Sequence, residues 1–193
     1  MTYNEIRIAG FGGQGVILAG AITGQAAAIY DGKNAVLVKS YGPEARGGAC
    51  STQIIISDTE IYYPYVREPS ILAVMSQEAF TKFVKELKEG GTLIVDEDLV
   101  RKENYEAVKE KYKLHIIPAT RIAEQMGRRI IANIVMLGFF TKVTGIVSAD
   151  GMKEVIKKYV PKGTEQLNLN AFQKGYDYVE KEELANAAAG GSR

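Results

Sequence analysis

The chain has 193 residues, 46% of them hydrophobic, and 24 lysines and arginines against 23 aspartates and glutamates, a net charge of +1. That length supplies one sizeable core, and the near-neutral balance excludes a basic field that would recruit nucleic acid. Nothing resembles an uninterrupted membrane span, and Met1 to Ile6 lacks the basic and apolar regions of a signal peptide, so a cytoplasmic protein without membrane contact is expected.

Glu5 to Ala9 reads as the first strand, and it runs into Gly10-Phe11-Gly12-Gly13-Gln14-Gly15 and the small-residue helix start Val16 to Gly20. A glycine turn between a strand and a helix lets backbone N–H groups approach an anion, and the helix dipole favours negative charge there. Gly10, Gly12 and Gly15 fit the G-x-G-x-x-G spacing of dinucleotide-binding folds, which predicts a Rossmann-like first turn. In such folds a carboxylate at the end of the second strand holds the ribose. The second strand, Asn34 to Ser40, ends in Val38-Lys39-Ser40 and offers none, while Asp31 belongs to the preceding turn. This weakens an NAD-dependent dehydrogenase reading and leaves NADP or another phosphorylated ligand open through Lys39.

Ser40-Tyr41-Gly42-Pro43-Glu44-Ala45-Arg46-Gly47-Gly48 reads as a fixed, tight loop. Glu44 and Arg46 are either a surface ion pair of little value or part of an anion site or subunit contact, with Arg46 offering two parallel donors and Tyr41 an amphipathic surface. Ser51 to Ser57 and Glu60 to Val66 read as a hairpin around Asp58-Thr59, followed by a strand at Ser70 to Met75 and a helix from about Gln77 to Lys88 that stops at Gly90-Gly91. Further strands are expected at Thr92 to Val95 and Leu114 to Ile117. Asp96-Glu97-Asp98, after the first of these, suits a solvated helix start better than a metal site.

A helix from about Arg128 to Val143 contains the apolar stretch Ile130 to Phe140, which predicts burial on more than one side and cover by a partner subunit. A helix that begins near Asp150 and stops before Pro161, and another over about Leu169 to Glu183, follow. Residues 1–184 are read as one domain and 185–193 as a mobile tail. The fold expected is α/β, a three-layer α/β/α domain with a mostly parallel, mixed sheet. Cys50 is expected as a small strand residue rather than a reactive thiol, and His115 as a strand residue rather than a metal ligand.

Taken together, Gly10 to Gly20 and Ser40 to Gly48 resemble the gamma subunit family of 2-oxoacid:ferredoxin oxidoreductases, most closely the 2-oxoglutarate (KorC-type) branch. Pro118-Ala119-Thr120, Ile122-Ala123, Asn133 to Gly138, Thr144-Gly145 and Asn170 to Gly175 extend the resemblance in the same order along the chain. It implies a complex that oxidatively decarboxylates a 2-oxoacid, forms an acyl-coenzyme A and reduces ferredoxin. A related subunit of indolepyruvate oxidoreductases, and a noncatalytic nucleotide- or anion-binding module, are the alternatives.

The thiamine diphosphate-binding subunit of such complexes carries a Gly-Asp-Gly motif, absent here, and one cysteine cannot hold an iron–sulfur cluster. The resemblance therefore places thiamine diphosphate, magnesium and iron–sulfur clusters on alpha and beta, and in some complexes delta, partner subunits, with coenzyme A as cosubstrate. No catalytic or metal-ligating residue is expected in this chain, and no activity from it alone. The residues expected to line the coenzyme A side of the site are Gly12, Gly13, Gln14, Gly15, Glu44 and Arg46.

Overall fold

The computed structural model describes residues 2–40 and 49–190, with residues 39–40 and 180–190 described by backbone alone. Its centre is a six-stranded sheet in the order β2-β3-β1-β4-β5-β6. The strands are β1 (Tyr3–Phe11), β2 (Asn34–Ser40), β3 (Ala49–Ser57), β4 (Ile71–Val74), β5 (Thr92–Asp96) and β6 (Lys113–Ile117). β1, β4, β5 and β6 pair in parallel, while β3 is antiparallel to both β1 and β2. The mostly parallel, mixed sheet expected from the sequence is formed.

β3 lies between β1 and β2, so the glycine turn does not join neighbouring parallel strands as the first crossover of a Rossmann domain does. The expected hairpin also takes another form. β3 is occupied along both edges, Ile54 facing Ile6 on one side and Leu37 on the other, so no edge remains for Glu60 to Val66. Pro64 also lacks the N–H that a ladder needs. That segment crosses the surface without strand structure, leaving Tyr62, Tyr63 and Tyr65 exposed.

The helices are α1 (Val16–Ile29), α2 (Gln77–Phe83), α3 (Lys102–Glu106), α4 (Ala119–Gln125), α5 (Ala132–Thr144), α6 (Ala149–Tyr159) and α7 (Glu165–Gly190). Serines mark two starts: Ser76 Oγ accepts from Ala79 N–H at 3.1 Å and Ser148 Oγ from Gly151 N–H at 3.1 Å. The backbone of α7 remains helical through Gly190, within the segment read as a tail.

Apolar side chains build a core on each face of the sheet. Ile6, Ile8, Ile54 and Ile56 join α1, α4, α5, α6 and α7 on one face, while Leu72, Val74, Leu93 and Val95 join α2 and Tyr105 on the other. This is the three-layer arrangement, with helices on both faces. Every residue from Ile131 to Thr141 is buried, as the all-round apolar pattern predicts, but the cover comes from α7 of the same chain rather than from a partner. Only Ile130 of the expected stretch stands out, at 72% exposure.

Candidate ligand-binding site

The turn from β1 into α1 sits at the carboxyl end of β1, beside the parallel strand β4. Gly13 and Gly15 have φ of 95° and 72°, a backbone region that side chains disfavour. Gly15 is the N-cap of α1 and provides no side-chain cap, so the first-turn N–H groups of that helix meet no side-chain acceptor from it. A Cβ at Gly13 would meet nothing within 4 Å, so the turn presents open backbone to its surroundings.

Gln14 holds the turn in place. Its Oε1 accepts from Phe11 N–H at 2.5 Å and its Nε2 donates to the Met75 carbonyl at 2.8 Å. The amide thus ties the end of β1 to the end of β4. α1 packs into one core and α2, which follows β4, into the other. Chain paths that diverge in this way open a crevice at the strand ends, where ligands of α/β sheets bind. Gln14 was expected as a ligand contact, and both ends of its amide are committed to bracing that crevice.

α5 supplies the opposing wall. Asn133 is buried on its first turn, and its Nδ2 donates to the Gly15 carbonyl at 3.3 Å while its Oδ1 accepts from Ile134 N–H at 2.9 Å. Just before α5, Arg128 and Arg129 are exposed. Arg129 Nε lies 3.6 Å from Glu124 Oε1, an exposed pair of small value. The Arg128 side chain makes no ion pair among the described residues.

Two cavities adjoin this corner and share Gly13 and Ile130. The larger, about 350 Å³, has apolar walls from Leu18, Ile134, Val160 and Leu167, with Arg128 and Gly15 also lining it. The smaller, about 330 Å³, lies over Gln14, Met75, Thr120 and Arg129. Sequence reasoning missed Arg128, Arg129 and the binding-wall role of Asn133. The arginine pair directly before the Ile130 run, and an asparagine inside an apolar helix, were the available signals.

Glu44 and Arg46 lie outside the described residues, as does the side chain of Lys39. β2 ends at Ser40, which pairs with Ser51, and β3 begins at Ala49, which pairs with Phe11. Ser40 and Ala49 therefore sit at the end of the sheet that carries the glycine turn.

The remaining polar candidates serve the fold. Asp96 is fully buried at the end of β5 and accepts from Thr120 Oγ1 at 2.7 Å, Thr120 N–H at 3.1 Å and Asp98 N–H at 3.2 Å. Burial pushes its carboxyl up to about 6 against those hydrogen bonds. Asp98 accepts from Arg121 N–H at 2.9 Å and, with Glu97, pairs with the Arg121 guanidinium. The acidic triplet thus fastens β5 to the start of α4, and no group of three metal-ligating side chains occurs among the described residues. Cys50 lies half-buried on β3, and burial raises its thiol above the usual value, which disfavours the reactive thiolate. No helix of the described residues is long and apolar enough to cross a membrane.

Comparison with known proteins extends the geometry. Residues 5–178 match the family described as pyruvate ferredoxin/flavodoxin oxidoreductase. The 2-oxoglutarate synthase subunit KorC of Methanocaldococcus jannaschii is 53% identical over 178 residues, covering 92% of this chain and 94% of its own. The subunit of the same name from Methanothermobacter marburgensis is 51% identical, covering 91% and 96%. The crystal structure of a keto/oxoacid ferredoxin oxidoreductase gamma subunit from Geobacter sulfurreducens superimposes with a TM-score of 0.81 at 40% identity, covering 92% of this chain and 96% of that one.

Proposed function

We propose that this chain, which belongs to the pyruvate ferredoxin/flavodoxin oxidoreductase family, is the gamma-type subunit of a heteromeric, cytoplasmic 2-oxoglutarate:ferredoxin oxidoreductase. The observation that carries the reading is the 53% identity to a 2-oxoglutarate synthase subunit, which spans nearly the full length of both chains. The complex would convert a 2-oxoacid, coenzyme A and oxidised ferredoxin into acyl-coenzyme A, carbon dioxide and reduced ferredoxin.

In this reading the alpha and beta subunits, with delta where present, hold thiamine diphosphate, magnesium and the iron–sulfur clusters. Those groups carry the carbon–carbon cleavage and the electron transfer, while the protein supplies binding and orientation. This chain scaffolds the assembly and lines one wall of the site. Open backbone at Gly12 and Gly13, braced by Gln14, suits the phosphates of coenzyme A, with Gly15 at the start of α1, Glu44 and Arg46 as the further contacts of this reading.

The test is reconstitution. The full chain alone, given thiamine diphosphate, magnesium, coenzyme A, 2-oxoglutarate and an electron acceptor, should show no turnover. Co-expression with the alpha, beta and delta subunits should give 2-oxoglutarate oxidation in preference to pyruvate. In that complex Arg46→Ala should raise the apparent KM for coenzyme A and leave the thiamine diphosphate content unchanged. Turnover by the chain alone, or a complex indifferent to 2-oxoglutarate, overturns the reading.

A further inference from the structure

The two edges of the sheet are built differently. β6 is five residues long and opens with Lys113. β2, at the other edge, runs for seven residues and pairs only with β3 among the described residues. An unpaired strand edge presents a row of N–H and C=O groups to any strand that can lie beside it, and proteins usually blunt such an edge by shortness, proline or several charges. β2 has Lys39 as its one charge, after the apolar run Ala35-Val36-Leu37-Val38.

The side chains of that run are incompletely covered. Ala35 and Leu37 pack against the core on the α1 face, whereas Val36 and Val38, on the opposite face by strand alternation, stay half-buried. Beside the edge, a cavity of about 330 Å³ is lined by Asn34, Ala35 and Val36 from the strand and by Glu60, Ile61 and Tyr62 from the segment after β3. Tyr62 is 88% exposed. Glu60 accepts from its hydroxyl at 2.8 Å and makes no ion pair among the described residues. The edge thus has a carboxylate beside its start and a lysine near its end.

We propose that the β2 edge pairs with the same edge of a second copy of this chain, antiparallel about a two-fold axis at Leu37, so that one sheet continues across both copies. β2 is complementary to itself in that register. Val36 meets Val38 of the second copy, and Lys39 of the second copy meets Ala35, which shares the groove with Glu60. The two-fold axis repeats both contacts at the other end, as an isologous interface requires. Centring the axis on Val36 instead would set Lys39 against Lys33, and centring it on Val38 would set Val36 against Ser40. This pairing uses only the chain's own edge and does not depend on the function proposed above.

Sedimentation equilibrium of the full chain from about 1 to 100 μM tests the proposal, and the mass should rise from one chain toward two. Val36→Lys combined with Val38→Lys sets lysines opposite each other in this register and should weaken the dimer at least about tenfold. Val36→Glu combined with Val38→Lys sets opposite charges together and should restore it. Both double variants place two charges on the same strand, so a difference between them reads pairing rather than folding. Glu60 is exposed, so Glu60→Lys should keep the wild-type melting temperature while weakening the dimer about threefold, and adding Lys39→Glu should recover it. If the valine positions do not tolerate charge, this swap decides alone. A monomer across the whole range, a dimer unaffected by the lysine variants, or a loss that neither charge swap restores overturns the proposal. If the chain is monomeric by itself but Val36→Lys with Val38→Lys blocks assembly with co-expressed alpha, beta and delta subunits, the edge belongs to a partner subunit and the second copy is ruled out.

Discussion

Gly138 of α5 and Gly175 of α7 meet the opposing helix with no room for a side chain: a Cβ at Gly138 would lie 1.9 Å from the Phe172 carbonyl oxygen, and one at Gly175 would lie 1.9 Å from that of Val135. The obstruction in both directions is backbone, which cannot change rotamer to relieve it. Gly138→Ala and Gly175→Ala should each force the helices apart and cost about 3 kcal/mol or more, at the upper end of overpacking effects. Thermal and urea unfolding of the full chain measure this. Gly90→Ala, at a position with open space but φ of 71°, should cost only about 1 kcal/mol. If the helix-contact glycines tolerate alanine as well as Gly90 does, the close packing of α5 on α7 is wrong.

Gly15 and Asn133 form a second coupled pair. A Cβ at Gly15 would lie 2.3 Å from Asn133 Nδ2, and the residue has φ of 72°. Gly15→Ala should therefore destabilise by about 2 kcal/mol, combining left-handed backbone strain with the clash. Asn133→Ala removes both the obstacle and the hydrogen bond to the Gly15 carbonyl. In a double-mutant cycle the cost of Gly15→Ala should shrink by about 1 kcal/mol in the Asn133→Ala background. Strict additivity would mean that the α5 wall does not support the turn.

The face of the sheet opposite α1 carries an unusual charge. Arg7 of β1 is 4% exposed, pairs with Glu86 and lies 4.6 Å from the Phe83 ring centroid, while its Nε finds no hydrogen-bond partner among the described residues. An incompletely satisfied buried guanidinium contributes little net stability, so Arg7→Met should be neutral or stabilising by about 1 kcal/mol. Glu86 is partly exposed, and Glu86→Ala should destabilise by about 1 kcal/mol after allowance for solvent screening. A large loss on Arg7→Met would show that the pair, rather than the apolar stem and ring, holds this face.

The strands and the glycine turn were legible because their signals are local. Asn34 to Ser40 lies between a glycine turn and a proline-containing loop, and Ser40 and Asn34 are the observed ends of β2. Residues whose role depends on a distant partner were not legible. Glu60 to Val66 has strand-like composition, but its exclusion from the sheet follows from β1 and β2 already flanking β3. The apolar face of α5 gives the amount of cover needed without saying who supplies it, and the Gly138–Gly175 contact that admits α7 spans two separate helices. At the candidate site the spacing located the β1–α1 turn, whereas the bracing by Gln14 depends on Met75 and the wall depends on Asn133.

Asp96 gives stability a pH dependence opposite in sign to that of an ordinary paired carboxylate. Burial raises its folded pKa from 3.8 to about 6. Between those values the native chain keeps a proton that the unfolded chain has released, so stability falls as pH rises through this window and levels off above it. The span corresponds to a loss on the order of 3 kcal/mol. Asp96→Asn keeps an acceptor for Thr120 and removes the titration. The measurement is urea unfolding of wild type and Asp96→Asn from pH 4 to 7, with the difference between them cancelling the other carboxylates. Stability of the wild type relative to the variant should decline as pH rises from 4 to 6 and then stay constant. A difference independent of pH, or one that grows in favour of the wild type, would show that the hydrogen bonds from Thr120 and Asp98 outweigh burial and keep Asp96 ionised in the fold.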